Sequence, residues 1–374
     1  MTNRERFYNV MEYREKDRVP NWEAGVWGQT IERWESEGLD IRDLHWDWFT
    51  GEEYYGMDGR EFIPVNYDMI PHFQEEILER TDRYLIKRNR SGIVTKALLE
   101  GTARGTRSSM DQYLEFPVRD VESFRELKKR YDPSKQSRYP AQWRELRVKG
   151  WKERDHVLIL GKNCSTLGFY WRAREWMGTE NLSYAWYDQP KLLHEMMEFI
   201  ADFTIEVSKP ILEEVTPDYL MISEDMAMKN GPLLSPDTYR TFIFPHMKRM
   251  TEFFKSKGVS YIMVDTDGNS KPLVPLLLDA GVDGFWPLER AADMDPAEIR
   301  RKYGKDFRLW GGVDKRELAK TKEDIRKHLL TLQDLIAEGG FIPTVDHTVP
   351  PDVSLENFIY YMKLKKELLA GNLT

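Results

Sequence analysis

Tyr219-Leu220-Met221-Ile222 runs into Ser223-Glu224-Asp225, and Tyr261-Ile262-Met263-Val264 runs into Asp265-Thr266-Asp267-Gly268-Asn269. Each is a short apolar run that ends in carboxylates, and a helical pattern over 235–257 separates them. Apolar runs this short, bounded by turn residues, read as buried strands. The unit recurs at Val157-Leu158-Ile159-Leu160, Gly284-Phe285-Trp286, Phe307-Arg308-Leu309-Trp310 and Phe341-Ile342-Pro343-Thr344, with helix-like segments at 190–215, 271–280, 296–303 and 322–338. Strands alternating with helices predict βαβ units and a parallel sheet. Two further strands are expected upstream, at 19–22 and 62–65. Eight parallel strands predict an α/β fold of the (β/α)8 TIM barrel type, which takes about 250 residues before insertions. The chain has 374 residues. We expect one barrel domain over 1–374, with the surplus as an insertion at about 67–155 in the N-terminal half. Within it, 76–80 and 83–87 predict a small antiparallel β element. An open doubly wound sheet is the alternative, but no G-x-G-x-x-G opens a helix after a strand.

Composition narrows the function. Hydrophobic residues make up 41 %, charged residues 32 % and aromatics 13 %, so the chain is an ordinary globular one with many aromatics. It contains no long uninterrupted apolar run, so no membrane span is expected. The charged start, MTNRERFYNVMEYREKDRVP, has no apolar core of a secretory signal, and a cytoplasmic protein is the expectation. The lone cysteine, Cys164, excludes an internal disulfide framework and a thiolate zinc cluster, and it is expected to be an inert buried thiol. Net charge is −8, from 55 basic and 63 acidic residues without a concentrated basic face, so no nucleic-acid partner is expected.

In a barrel, residues just past the strands' C-terminal ends face the active site. Those positions carry Glu224 and Asp225, Asp265 and Asp267, Glu289 with Arg290, Asp314, and Asp346 with His347. Asp314 before Lys315 reads as a helix cap. The others would repel one another unless a cation or shared protons lie among them. Asp265, Asp267, Glu289 and His347 have the donor types for one divalent metal. The rival is metal-free acid/base chemistry with a carboxylate of raised pKa as donor. Tyr170 offers a phenolic donor, and Glu224 is a base or a support for the metal. Asn163, Asp225 and Asn269 are expected to contact a small-molecule substrate. Trp22, Trp27 and Trp286 are expected to form a flat apolar wall for an aromatic ligand.

At these residues the chain resembles the uroporphyrinogen decarboxylase (URO-D) superfamily, which also holds the cobamide-dependent methyltransferases. The resemblance runs in order through Arg4-Glu5-Arg6-Phe7 to Asp17-Arg18-Val19-Pro20, Glu224-Asp225-Met226, Asn230-Gly231-Pro232-Leu233-Leu234-Ser235-Pro236, Asp267-Gly268-Asn269, Gly311-Gly312-Val313-Asp314 and His347-Thr348-Val349-Pro350-Pro351-Asp352. It implies a (β/α)8 barrel. Tyr170 matches that family's substrate-contacting tyrosine, and His347 matches the histidine of its G-H-G segment. The true porphyrinogen decarboxylases carry an arginine-rich R-Q-A-G-R-Y stretch for substrate carboxylates, replaced here by Asn21-Trp22-Glu23-Ala24-Gly25-Val26-Trp27. A polycarboxylate would meet like charge. The methyltransferase branch is therefore the nearer one. Its zinc-binding H-x-C pair is replaced by Asp265-Thr266-Asp267, and its late cysteine falls at about His347. An oxygen and imidazole set holds zinc as a harder Lewis acid, suited to an ether oxygen.

The resemblance implies methyl transfer from a small methylated substrate, such as a methoxyarene, to a corrinoid protein. In that reading Asp265, Asp267, Glu289 and His347 hold zinc or another divalent metal, and Glu224, Asp267, His347 and Tyr170 are catalytic. A decarboxylase-like lyase using Asp267, His347 and Tyr170, and a non-catalytic ligand-binding barrel, are the alternatives. The oligomeric state, a homodimer included, stays open.

Overall fold

The computed structural model describes residues 1–40, 55–104, 110–161 and 167–374, and the backbone of 106 and 107. Its centre is a curled parallel sheet of seven strands: Arg60–Phe62, Val157–Leu160, Tyr219–Ser223, Tyr261–Asp265, Gly284–Leu288, Arg308–Val313 and Phe341–Val345. They lie side by side in chain order, each parallel to its neighbours. Val157–Leu160, Tyr219–Ser223, Tyr261–Asp265 and Phe341–Val345 are buried along their whole length. A parallel sheet is covered on both faces, so its strands read as continuous apolar runs rather than alternating ones.

The eighth strand expected at 19–22 is not part of the ladder. Residues 19–26 are buried and fill the seam between the first and last strands. Their donors are spent elsewhere. Val19 N–H bonds the Leu369 carbonyl, Asn21 N–H bonds the Asp58 carboxylate at 2.7 Å, and Pro20 has no N–H to give. Among the described residues, the backbone bridge pairing this segment with the last strand's extension is the isolated one between Val26 and Val349. Among the described residues the architecture is therefore a seven-stranded half-barrel with a packed seam, and a hydrogen-bonded ring of eight is not formed by them. The strand expected at 62–65 is displaced to Arg60–Phe62, and Pro64 supplies no ladder donor.

Phe7, on the helix Asn3–Met11, closes the floor at the strands' N-terminal ends. Its ring centroid lies 5.6 Å from Trp22, 5.8 Å from Tyr219 and 5.7 Å from Tyr261. The insertion carries a four-stranded antiparallel sheet, Glu76–Arg80, Tyr84–Arg88, Val94–Leu98 and Gln112–Glu115, in that order. Its first two strands are those expected from sequence, the second moved by one residue. Of the expected helices, 235–257 is interrupted. Pro236–Thr238 passes through a π turn, Tyr239–Ile243, into Phe244–Ser256. Pro245, two residues past that turn, removes a backbone donor at the junction.

Candidate functional site

The helix Phe169–Met177 begins against the end of Tyr219–Ser223. Gly168 makes that approach possible: a Cβ there would lie 1.7 Å from the Ser223 carbonyl oxygen. The helix has no side-chain cap of its own. Its first amides are bound by Glu224, whose carboxylate accepts from Phe169 N–H at 3.0 Å and Tyr170 N–H at 2.6 Å. Glu224 is fully buried. Burial pushes its carboxyl up to about 7, against the helix amides, which favour the anion.

That helix presents Tyr170 and Arg174, four residues apart and so on one face. Arg174 binds Asp225 at 2.7 Å. Burial raises the Asp225 carboxyl, with Arg174 opposing and Asp267 reinforcing it. The Tyr170 hydroxyl is buried without a hydrogen-bond partner among the described residues, and burial holds it at about 12, so it is a neutral donor. On the next strand end, Asp267 Oδ2 lies 3.2 Å from His347 Nε2. Burial works against both charges, but their mutual hydrogen bond and attraction win. Asp267 is held below, and His347 above, its ordinary value. Lys315 Nζ binds Glu289 at 3.0 Å, and Glu289 also accepts from Gly268 N–H at 3.3 Å. Among the described residues, the cations gathered here, Arg174, His347 and Lys315, are thus each matched by a carboxylate.

Glu224, Asp225, Asp267, His347 and Tyr170 are brought together at the strand ends. The four proposed metal donors are divided. Asp265 accepts the Ser223 hydroxyl at 2.9 Å, Asp267 faces His347, and Glu289 faces Lys315. Among the described residues no three His, Cys, Asp or Glu side chains form a group able to hold a metal ion. As placed, these residues do not fit a resident zinc. Asp346 is buried and binds Arg290 N–H and Lys315 N–H. Burial lifts it to about 6. Asp314 caps Lys315–Leu318 by accepting from Arg316 N–H, as read from sequence.

Trp22, expected at the mouth, belongs to the floor. Its ring packs on Phe7 and on Trp310 at 5.6 Å, and Arg60, the first residue of its strand, lies over it. Trp27 is half-buried and donates its N–H to the Val349 carbonyl, two residues past His347. Trp286 is half-buried beside Asp265 in the register. Asn269 turns its amide oxygen to Lys271 N–H at 3.3 Å. Asn163 and Cys164 lie outside the described residues. Arg174 and Lys315 were not singled out from the sequence. The i,i+4 spacing from Tyr170 was the available signal for Arg174.

Residues 113–368, more than half of the chain, match the family model of uroporphyrinogen decarboxylase (URO-D). Curated relatives are distant. The uroporphyrinogen decarboxylase of Nostoc punctiforme is 24 % identical over 182 residues, covering 49 % of each chain. That of Chloroherpeton thalassium is 26 % identical over 226 residues, covering 57 % of this chain and 60 % of that one. The chain thus spans about half the length of the curated relatives it matches. A solved methyltransferase from Methanosarcina mazei shares the fold, with a TM-score of 0.62 at 15 % identity over 98 % of this chain and 99 % of that one. The matched family model, over residues that carry most of the parallel sheet and the strand-end cluster, shows that the chain belongs to the uroporphyrinogen decarboxylase (URO-D) family.

Proposed function

We propose that this chain is a methyltransferase whose strand-end cluster supplies a proton rather than a metal. The observation that carries the reading is the pairing, among the described residues, of the cations gathered here: Arg174 with Asp225, His347 with Asp267, Lys315 with Glu289 and Arg290 with Asp295. Among the described residues, a site balanced in this way offers no spare positive charge to a polycarboxylate, and it favours an uncharged substrate. Its acid facing Asp267 is His347. Protonated His347 carries hydrogens on both ring nitrogens. Nε2–H is engaged by Asp267, which leaves Nδ1–H for a bound molecule.

For a methyl ether, the O–CH3 bond breaks and its electron pair stays on oxygen. His347 places a proton on that oxygen, and water restores the imidazolium. The methyl group leaves toward an acceptor that brings its own electron pair. A corrinoid carried by a separate protein is the acceptor we propose. Tyr170 donates to the ether oxygen or ring substituent, and half-buried Trp27 and Trp286 offer the apolar wall of a methoxyarene site.

The curated relatives favour a second reading, a decarboxylase-like lyase in which the same His347 proton goes to the carbanion left by CO2. One experiment separates the two. The protein is incubated with cob(I)alamin and a panel of neutral methoxyarenes, and separately with a porphyrinogen. A cob(I)alamin spectral change that is lost in His347→Asn supports methyl transfer. CO2 release with no methyl transfer supports the lyase.

A further inference from the structure

Glu23 and Lys365 form an ion pair at 2.5 Å with both side chains wholly buried, in the seam between the first and last strands of the sheet. We propose that Glu23 is a positioning residue for His347: its carboxylate takes the place of the absent ladder bond and fixes the end of the last strand. Glu23 Oε2 accepts Val345 N–H at 2.8 Å, two residues before His347. Oε1 accepts from Lys365 Nζ and from the Tyr361 hydroxyl, two groups one turn apart on the helix Leu355–Leu369. Lys365 also donates to the Trp22 carbonyl at 2.5 Å, and the Glu23 carbonyl accepts from Arg60, the first residue of the first strand. One residue thus ties both edges of the sheet.

The other side of the last strand needs no such device, because Asp346 N–H bonds the Val313 carbonyl in the ladder. Beyond His347, Val349 N–H bonds the Gly25 carbonyl. His347 is therefore strung between two anchors from the same buried segment, and only the first is a side chain. A buried ion pair is on average no more stabilising than apolar side chains of the same volume. Apolar side chains cannot accept the Val345 N–H, and this is the property that assigns Glu23 its role.

The consequence for catalysis rests on the reading of His347 as proton donor, so the test reads geometry and not turnover. Two neutral-pair variants of the full chain are compared: E23Q/K365M, which keeps an acceptor for Val345, and E23L/K365M, which does not. Amide exchange at Val345 and the downfield NMR signal of His347 Nε2–H are measured. The expected result is exchange at Val345 roughly tenfold faster or more in E23L/K365M, the effect of one lost hydrogen bond, with loss of the His347 signal. Both stay at wild-type values in E23Q/K365M. Equal exchange and equal signals in the two variants would overturn the proposal. Should E23L/K365M fail to fold, the wild-type protein decides: Val345 exchanging as fast as unprotected loop amides overturns the proposal, and strong protection lost in E23A/K365M sustains it. An absence of methyl transfer in the wild type bears on the proposed function and leaves these readouts intact.

Discussion

Replacing Glu224 by glutamine isolates the tension at the start of the helix that carries Tyr170 and Arg174. The carboxyl is fully buried, and burial carries it from 4.5 to about 7 against the opposing amides of Phe169 and Tyr170. At about 1.4 kcal/mol per pH unit, that displacement corresponds to about 3 kcal/mol. The sign follows from proton uptake. The folded chain binds this proton more tightly than the unfolded chain, so the stability it contributes is complete below pH 4.5 and is lost as the pH rises through about 7. Glutamine has the shape of the protonated carboxyl and does not titrate. Asp346, lifted to about 6, titrates in both proteins and cancels in the difference. Urea unfolding of wild type and Glu224→Gln, followed by tryptophan fluorescence from pH 4.5 to 8, measures the effect. The variant gains on the wild type by about 3 kcal/mol across that range. Parallel curves, or a wild type that gains on the variant as pH rises, would refute the reasoning, because they would show the helix amides cancelling or outweighing burial.

Three further outcomes are expected. Lys365→Met leaves the Glu23 carboxylate buried without its cation and lowers stability by about 3–5 kcal/mol in chemical denaturation; a loss under about 1 kcal/mol contradicts the buried pair. Gly168→Ala drives a Cβ into the Ser223 carbonyl, which is backbone and cannot swing away, so unfolding by heat moves down by several degrees and the Tyr170 environment changes in near-UV dichroism. Elemental analysis finds no stoichiometric zinc, and chelation leaves methyl transfer unchanged. About one zinc per chain, lost in an Asp265→Ala/His347→Ala variant, would show that the donors regroup around a metal.

Much of the parallel sheet was legible in the sequence because most of its strands are short apolar runs bounded by turn residues, several of them carboxylates. That made 157–160, 219–222, 261–264 and 341–344 recognisable, and the strand-end rule then located Glu224, Asp225, Asp267 and His347. The seam was less legible. Val19-Pro20-Asn21-Trp22 has the composition of a strand, but Pro20 has no N–H, and those of Val19 and Asn21 are spent on the Leu369 carbonyl and Asp58, partners 37 or more residues away. For the same reason Trp22 looked like a mouth residue, although its ring belongs to the floor with Phe7. The carboxylates read as a possible metal shell because charge alone was visible. Their partners, Arg174 and Lys315, come from a helix and a capping turn whose facing directions only the fold sets. Glu23 marked only the absence of the family's arginines; its pairing with Lys365 joins residues 342 apart.

The claim on which the functional reading turns is that Asp267 raises the His347 ring above its ordinary value and so favours the protonated form that donates. NMR titration of the His347 ring in the wild type and in Asp267→Asn measures it directly. The account predicts a wild-type midpoint above the ordinary 6.5, and a midpoint below 6.5 in Asp267→Asn, where burial acts without the carboxylate. A wild-type midpoint at or below 6.5, unmoved by the substitution, would contradict it.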